Sequence, residues 1–348
     1  MKYLLLVGVI FIINYTTGRG CYHQQRIHLT TLEVGEFCAK MLKKPSQGSF
    51  ILMEAFTKRI NIDGKQARYY DLQPLNLSEE SGSLKRQPAH FYGGNSFTVG
   101  TYAPLLNELA TDFDLSALAL RGYWYDKPQA PRLTREQDAD ILIEFLEKTQ
   151  DAPIVGIGHS QGATATAMAA AKRPELFSQL YLIEPVTFTR KQATLYNLLP
   201  RQFLLSREPF KSTLTKQSTW ASIDDYYESL RAQRAYKRIS DEHLKVFAEQ
   251  SLSANDDGSY SLMFAPEQEL ANYFGAPHID AALKKLSCPY TLITGKPTLF
   301  INNKVRKQWQ KFVPDGSVIS LPDYGHLLPM EAPELCAQII NEHYKSAK

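Results

Sequence analysis

The stretch Ile154-Val155-Gly156-Ile157-Gly158-His159-Ser160-Gln161-Gly162-Ala163 decides the fold of this chain. A β-branched run leads into a G-x-S-x-G pentapeptide centred on Ser160, and a run of small, helix-forming residues follows and ends at Lys172-Arg173-Pro174. A serine on a sharp strand-to-helix turn needs glycine-sized neighbours, because its backbone comes close to the adjacent strand and helix. These flanks distinguish the stretch from a chance pentapeptide and predict a strand, a tight turn at Ser160 and a helix.

The predicted turn gives Ser160 a useful chemical position. It places the hydroxyl at the C-terminal edge of a sheet and aims the free N–H groups of the following helix at whatever the serine attacks. We therefore interpret Ser160 as a nucleophile. An acyl-transfer site needs two donors for the developing oxyanion, and the backbone N–H of Gln161 is expected to be one of them.

Length and composition are those of a soluble globular protein. The chain has 348 residues, of which 44% are hydrophobic and 22% are charged, which suits one large α/β core that carries an insertion. A net charge of +3 is too small to indicate a nucleic-acid partner, and no block of Lys or Arg supports one. The sequence has no Gly-rich phosphate loop and no metal-ligand cluster, so we expect no cofactor and no metal.

The N-terminus has the pattern of a signal peptide. Met1-Lys2 precedes an apolar run from Tyr3 to Asn14, which is shorter than the about 20 residues that a membrane-spanning helix needs. The alternative is a buried N-terminal strand. Cys21 lies where a lipoprotein would carry its acylated cysteine and would then give a membrane anchor, although Gly18-Arg19 lacks the usual aliphatic and small pair. We expect an exported protein that is periplasmic, secreted or anchored to a membrane.

The four cysteines give that expectation no further support. They are scattered, and their spacing predicts neither a disulfide framework nor a zinc site. They are Cys21, Cys38, Cys288 and Cys336.

Strands and helices alternate along most of the chain, after a hairpin signal at Asp63-Gly64. This alternation predicts an α/β protein with a mostly parallel twisted sheet and helices on both faces. The predicted strands are 51–62, 65–72, 88–92, 115–120, 153–158, 180–183, 289–294 and 317–321. The predicted helices are 32–43, 102–110, one that begins with a capping box at Thr134, the helix after Ser160, 305–312 and 333–345.

The alternation stops after Pro185, where a polar, aromatic-rich and mostly helical stretch runs to about Ala282. We interpret this stretch as an insertion that lies over the sheet edge as a cap. The predicted organisation is a signal peptide at 1–20, a leader at 21–50, a first core part at 51–186, the cap insertion at 187–282 and a second core part at 283–348.

A serine hydroxyl is a weak nucleophile and needs a base within hydrogen-bond reach. Among eight histidines, only His326 lies in a glycine loop between the last predicted strand and the last predicted helix. It also lies far downstream of Ser160, as this arrangement requires. His159 is expected to pack or hydrogen-bond locally, and His90 is expected to be a satisfied core histidine.

The carboxylate that would orient His326 is absent from its usual place after the penultimate strand. No Asp or Glu occurs from Ser287 to Pro314, and the expected position holds Thr298. Glu184 ends the strand that follows the Ser160 turn, on the same sheet edge. We predict that Glu184 fixes the tautomer of His326 and supports its protonated form. Alternatively, Glu184 only ties the next loop through backbone hydrogen bonds.

The second oxyanion donor is expected in the loop after strand 88–92. Gly93-Gly94 lets that backbone turn towards a substrate, and we predict Asn95 as the donor, with Ser96 as the next candidate. A plain glycine turn is the alternative. The segment from Arg121 to Asp126 ends a strand at the same edge and is a candidate wall of an acyl pocket.

From about Phe50 to Tyr344 these motifs together resemble the α/β-hydrolase superfamily. In chain order they are Gly-Gly-Asn at 93–95, Arg-Gly at 121–122, Gly-His-Ser-Gln-Gly at 158–162 and Tyr-Gly-His at 324–326, and the stretches 94–97, 182–186 and 258–262 look like a capped subgroup. The resemblance implies an α/β-hydrolase fold with a helical cap and an activity of the esterase, lipase, lysophospholipase or lactonase kind. Relatives with an acid after the strand that follows the turn support Glu184. The sequence departs from the family pattern in two places. Gly93 stands where a histidine is expected, and the aspartate expected after the penultimate strand is absent.

The sequence therefore predicts a serine hydrolase that cleaves a carboxylic ester of a small molecule or lipid through an acyl-enzyme on Ser160. An amidase, thioesterase, lactonase or carbon–carbon hydrolase would use the same residues, because the cap and pocket set the substrate. A non-catalytic binding protein on the same fold is the alternative of another class.

Overall fold

The computed structural model describes residues 57–72, 86–125 and 127–346, together with two short strands near the N-terminus. These strands, β1 (Phe11–Ile12) and β2 (Arg26–Ile27), pair antiparallel.

Several expectations fall outside the described residues: the signal peptide, Cys21, Cys38, the helix at 32–43 and the first half of strand 51–62. They stay predictions. In the described part of the chain, no helix has the length and apolar character that crossing a membrane requires.

Eleven further strands follow in the described residues. They are β3 (Thr57–Ile62), β4 (Lys65–Leu72), β5 (Gln87–Tyr92), β6 (Phe113–Leu118), β7 (Ile154–His159), β8 (Phe177–Ile183), β9 (Thr219–Trp220), β10 (Leu252–Ala254), β11 (Tyr260–Leu262), β12 (Tyr290–Thr294) and β13 (Val318–Ser320). Eight of them form the main sheet, in the spatial order β13-β12-β8-β7-β5-β6-β4-β3.

The main sheet is mostly parallel, as the sequence predicts. Strands β13, β12, β8, β7, β5 and β6 run parallel to one another, whereas β4 is antiparallel to β6 and to β3. The β3–β4 hairpin turns at Asp63 and Gly64, whose φ angles of 51° and 70° are those of a tight hairpin turn.

The α-helices are α1 (Ala103–Leu109), α2 (Arg135–Thr149), α3 (Gln161–Lys172), α4 (Arg190–Leu198), α5 (Arg201–Leu205), α6 (Phe210–Leu214), α7 (Ile223–Arg231), α8 (Asp241–Ser251), α9 (Pro266–Tyr273), α10 (Asp280–Leu283), α11 (Asn303–Trp309), α12 (Leu328–Glu331) and α13 (Pro333–Ser346). Short 3-10 helices lie at Val99–Tyr102, Arg121–Tyr123, Pro174–Leu176 and Arg234–Tyr236. Thr134 caps α2 in the predicted capping box with Gln137.

Helices cover both faces of the sheet. Helices α1 and α13 pack on one face, and α2, α3 and α11 pack on the other, in two separate apolar clusters. Side chains alternate between these clusters along β8, where Tyr181 and Ile183 belong to one and Leu180 and Leu182 to the other. This alternation buries both faces of a central strand.

The intervening segment, which we define as residues 187–289, lies between β8 and β12. It contains α4 to α10 and a small sheet in the order β10-β11-β9. Ser222 and Ser240 cap α7 and α8, and Gly258 makes a hairpin turn with a φ angle of 84°. The sequence did not predict β9, because two residues are too few to show an alternating pattern.

Candidate active site

Ser160 lies between β7 and α3, on the predicted turn. Its φ and ψ angles of 54° and −117° are strained for a residue with a side chain. The neighbouring glycines make the turn sterically possible. A Cβ atom at Gly162 would lie 2.0 Å from the backbone oxygen of Tyr92, and one at Gly158 would lie 2.6 Å from Cα of Ala163. The close packing of β5, β7 and α3 therefore accepts only glycine at these two positions.

His326 reaches Ser160 from the loop between β13 and α12. Its Nε2 atom lies 2.9 Å from Oγ of Ser160, although the two residues are 166 positions apart. Gly325 and Gly295 let the loops after β13 and β12 come together, since a Cβ at Gly295 would lie 2.7 Å from the oxygen of Gly325. The structure thus brings the predicted nucleophile and the predicted base into hydrogen-bond contact.

Glu184 follows β8 and contacts the other side of His326. Its Oε2 atom lies 3.1 Å from Nδ1 of His326, and its side chain is fully buried. Its Oε1 atom accepts a hydrogen bond from the backbone N–H of Gly295 at 2.7 Å. One oxygen of Glu184 therefore ties the loop after β12, which is not the next loop that the alternative named, and the other oxygen faces the imidazole.

Thr298, which occupies the usual position of the acid, has a local structural role. Its hydroxyl oxygen accepts hydrogen bonds from the N–H groups of Phe300 and Ile301 and so closes a turn. Arg306, which sequence reasoning missed, supplies a positive charge nearby. It donates to the backbone oxygen of Gly295 at 2.6 Å and lies 3.8 Å from Oε1 of Glu184.

A bond between Glu184 and His326 sets the direction of proton transfer. When the carboxylate accepts the hydrogen on Nδ1, Nε2 has a free lone pair that faces the Ser160 hydroxyl. This is the tautomer that a general base needs.

The Gly93-Gly94-Asn95 turn lies beside Ser160. A Cβ atom at Gly94 would lie 3.1 Å from Cβ of Ser160. The N–H of Gly94 is already used, because it donates to the hydroxyl of Tyr102 at 2.8 Å. Within the described residues, the backbone N–H groups of Asn95 and Gln161 have no acceptor. These two N–H groups are therefore free to bind a substrate oxygen.

The model of the α/β hydrolase family matches residues 89–339. This chain belongs to the α/β hydrolase family. An uncharacterized hydrolase of Bacillus subtilis (strain 168), YugF, is 25% identical over 302 residues, which are 84% of this chain and 100% of that protein.

Solved structures share the fold of this α/β hydrolase. The crystal structure of E-2-(acetamidomethylene)succinate hydrolase has a TM-score of 0.67 at 17% identity, over 82% of this chain and 97% of that one. A thioesterase domain from the curacin biosynthetic pathway has a TM-score of 0.63 at 17% identity, over 82% of this chain and 98% of that one.

His159, beside the serine, joins two distant loops of this α/β hydrolase, whereas the sequence predicts only local contacts for it. Its Nε2 lies 2.8 Å from the backbone oxygen of His326, and its Nδ1 lies 2.8 Å from the hydroxyl of Tyr102. Burial lowers the pKa of His159 to about 3, and the nearby His326 acts in the same direction. The ring is therefore neutral: Nε2–H donates to His326, and Nδ1 accepts the Tyr102 proton.

Aromatic side chains pack against His159 and His326 in this α/β hydrolase. The ring of Phe300 lies 4.6 Å from that of His326, and Phe97 lies 6.2 Å from His159 and 5.7 Å from Phe247. Phe97 and Phe300 therefore place aromatic rings against the two histidines that flank Ser160.

The segment from Arg121 onwards only partly matches the predicted pocket wall. Tyr123 reaches the turn that begins with Gly93-Gly94-Asn95, with its hydroxyl 3.4 Å from the backbone oxygen of Ser96. Arg121 itself is 2% exposed and faces Asp138 in the interior. Its guanidinium therefore does not line an open pocket.

The described residues include two cysteines, Cys288 and Cys336, and both are free thiols. Cys288 is half-buried and Cys336 is buried. Among the residues that the structure describes, no group of three or more His, Cys, Asp or Glu side chains could hold a metal ion.

Proposed function

We propose that this α/β hydrolase is a serine hydrolase that cleaves a carboxylic ester through an acyl-enzyme on Ser160. The proposal rests on two hydrogen-bond contacts that His326 makes. Its Nε2 lies 2.9 Å from Ser160 Oγ, and its Nδ1 lies 3.1 Å from Glu184 Oε2. A nucleophile, a base and an orienting carboxylate in this order are the parts that acyl transfer requires.

In the first half of the proposed reaction, Ser160 attacks the ester carbonyl carbon while His326 takes the hydroxyl proton on Nε2. The carbonyl electron pair moves to its oxygen, and the N–H groups of Asn95 and Gln161 stabilise the negative charge there. The tetrahedral intermediate collapses, the ester C–O bond breaks, and His326 gives its proton to the leaving alcohol.

In the second half, a water molecule takes the place of the alcohol. His326 removes a proton from the water as it attacks the acyl carbon, and the same two N–H groups bind the second oxyanion. The bond to Ser160 Oγ then breaks, the serine regains its proton from His326, and the carboxylic acid leaves.

The surroundings of the site support an ester of apolar character. Phe300 packs on the ring of His326, and Phe97 packs on Phe247. These aromatic rings suit an apolar acyl or alkyl group. We propose a small-molecule or lipid ester as the substrate, and we propose that the helical part of the intervening segment acts as a cap over it. Export and a lipid anchor at Cys21 stay predictions from the sequence.

A fluorophosphonate probe and a substrate panel test the proposal. The probe should label the wild-type protein and should not label Ser160→Ala. On p-nitrophenyl esters Ser160→Ala should lose turnover and keep its thermal stability, because the substitution removes one oxygen atom. Matched thioester, lactone and anilide substrates separate the ester hydrolase from the thioesterase, lactonase and amidase alternatives.

Ser253→Ala serves as the control, because Ser253 lies exposed on β10 and its hydroxyl bonds only within the β10–β11 hairpin. This variant should behave as the wild type. Turnover retained by Ser160→Ala would refute the assigned nucleophile, and a wild-type protein that the probe does not label would favour a non-catalytic binding protein.

A further inference from the structure

A buried polar cluster lies next to the two proposed oxyanion donors and takes no part in the triad. Its members are at most 9% exposed, and they come from the turn after β5, the segment after β6, and helices α2, α3 and α9. They are Asn95, Arg121, Arg135, Asp138, Gln161 and Asn272.

Asp138 is the charged centre of this cluster. Its carboxylate lies 3.0 Å from Nη2 of Arg121 and 3.1 Å from Nε of Arg135. It also accepts a hydrogen bond from Nε2 of Gln161 at 2.7 Å. In the described part of the chain neither arginine forms an ion pair with a second carboxylate. Two guanidinium groups and one carboxylate leave a net positive charge buried behind the N-terminus of α3.

Asn272 links this charge to both oxyanion residues. Its Oδ1 accepts hydrogen bonds from Nη2 of Arg135 at 2.8 Å and from Nε2 of Gln161 at 3.3 Å. Its Nδ2 donates to Oδ1 of Asn95 at 2.9 Å. A guanidinium group can only donate, so the oxygen of Asn272 must face Arg135 and its NH₂ group must face Asn95. The orientation of the amide is therefore fixed.

Helix α9 holds the Asn95 side chain at both ends. The Oδ1 atom of Asn95 accepts the bond from Asn272. The Nδ2 atom of Asn95 donates to the backbone oxygen of Glu269 at 3.1 Å. The turn that carries Asn95 begins with two glycines and includes Ser96 at a φ angle of 68°. The two glycines give this backbone little intrinsic preference for one conformation, so the side-chain contacts from α9, together with the bond from the Gly94 N–H to Tyr102, fix where the Asn95 N–H points.

We propose that Asn272 is a positioning residue that holds the Asn95 and Gln161 N–H groups together as an oxyanion hole. The proposal rests on the function proposed above. Oxyanion donors contribute to catalysis because they are held in place before charge develops, and a displaced donor loses most of that benefit. Asn272 belongs to the intervening segment, so this segment completes the oxyanion hole as well as covering the site.

Asn272→Ala tests the proposal through a split between kcat and KM. For a p-nitrophenyl ester, kcat should fall by about 10- to 100-fold and KM should change by less than about twofold, because the contact acts on the transition state. The affinity for an alkyl trifluoromethyl ketone, whose adduct places an oxyanion in the hole, should fall by a similar factor. A merely structural role would not produce this parallel loss.

Asn95→Ala removes the same contact from its other end and keeps the backbone N–H. It should show the same pattern as Asn272→Ala, and the double variant should lose no more than the worse single variant. Asn255→Ala is the control, because its amide bonds only to Ser259 and Ser261 within a hairpin. This control should keep the wild-type kcat and ketone affinity.

The outcomes separate the two proposals. A wild-type protein that neither hydrolyses esters nor reacts with a fluorophosphonate refutes the proposed function, and this inference with it. An active wild type with an Asn272→Ala variant of unchanged kcat and ketone affinity overturns only the role of Asn272. Losses that multiply in the double variant also overturn it. If Asn272→Ala does not fold by circular dichroism, Asn95→Ala alone decides, and a wild-type kcat there overturns the proposal.

Discussion

The Nε2 atom of His159 lies 2.8 Å from the backbone oxygen of His326, so the residue before the proposed nucleophile holds the loop of the proposed base. On its other side, His159 bonds to the Tyr102 hydroxyl, which accepts the N–H of Gly94 at 2.8 Å. One chain of hydrogen bonds therefore runs from the Gly93-Gly94-Asn95 turn, the proposed oxyanion turn, to the loop of His326, the proposed base loop.

Substitution of His159 should separate the base from the nucleophile. His159→Phe keeps a ring of similar size but removes the donor to His326. We expect kcat to fall by about 10- to 100-fold, as a misplaced catalytic group produces, and the free energy of unfolding to fall by about 1–3 kcal/mol, because a buried carbonyl loses its partner. Ester kinetics and urea unfolding measure the two effects.

Tyr102→Phe is the matched comparison, because it breaks the same chain at the other end and leaves the His159–His326 bond in place. It should lower kcat less than His159→Phe does. Equal losses in both variants would mean that the oxyanion turn, and not the base loop, is what this chain of hydrogen bonds positions.

Glu184→Gln should abolish most activity while it preserves the fold. The side-chain oxygen of the introduced glutamine would keep the bond to the Gly295 N–H, so its NH₂ group would face Nδ1 of His326. That contact favours the tautomer with hydrogen on Nε2, which cannot accept the proton of Ser160. The expected loss in kcat is about 10⁴-fold, as for other triads with this change, with a melting temperature near that of the wild type. A variant with nearly normal kcat would place the acid elsewhere.

Two buried histidines should make the protein sensitive to acid. Burial lowers the pKa of His90 and of His159 to about 3, from the ordinary value of 6.5. The unfolded chain takes up protons on these residues as pH falls below about 6.5, whereas the folded chain does so only near about 3. Their contribution to the free energy of unfolding is therefore fully present above about pH 6.5. It falls as the pH decreases from about 6.5 to about 3, by up to about 1.4 kcal/mol per pH unit for each histidine.

His90→Phe tests this prediction away from the proposed site. His90 Nδ1 lies 2.9 Å from Ser116 Oγ, and its Nε2 has no partner among the described residues. Urea unfolding between pH 4 and pH 8 should show a shallower loss of stability in the variant. The difference at pH 8, where the histidine is neutral in both the folded and the unfolded chain, reports the change in packing and serves as the baseline. Parallel curves for the two proteins would refute a depressed pKa for His90.

The sequence was most informative where steric limits are strict. The order strand, Ser160, helix follows from glycines that the packing makes necessary, and Glu184 was predicted because no Asp or Glu occurs from Ser287 to Pro314. Boundaries were less exact: β8 begins at Phe177, three residues before the prediction, because Ser178 and Gln179 interrupt its apolar pattern.

The cluster around Asp138 could not be predicted in the same way. Asp138 and Asn272 are polar residues on helices, and such residues usually face water. Only the tertiary fold shows that they meet Gln161, which is 23 residues from one and 111 from the other. No local pattern in a single sequence records such a contact.

Gly162→Ala should remove both stability and activity, in contrast to Ser160→Ala. Its Cβ atom would lie 2.0 Å from the Tyr92 oxygen, so β5 and α3 must move apart at the point where the oxyanion turn begins. We expect a loss of about 1–3 kcal/mol or more in the free energy of unfolding, as overpacking causes, and loss of turnover. Gly258→Ala is the control, since nothing lies within 4 Å of its added Cβ and only its φ angle of 84° is unfavourable. Gly258→Ala should lower the free energy of unfolding by about 1–2 kcal/mol and leave kcat unchanged. A Gly162→Ala variant that keeps its kcat would show that the turn tolerates a side chain at this position.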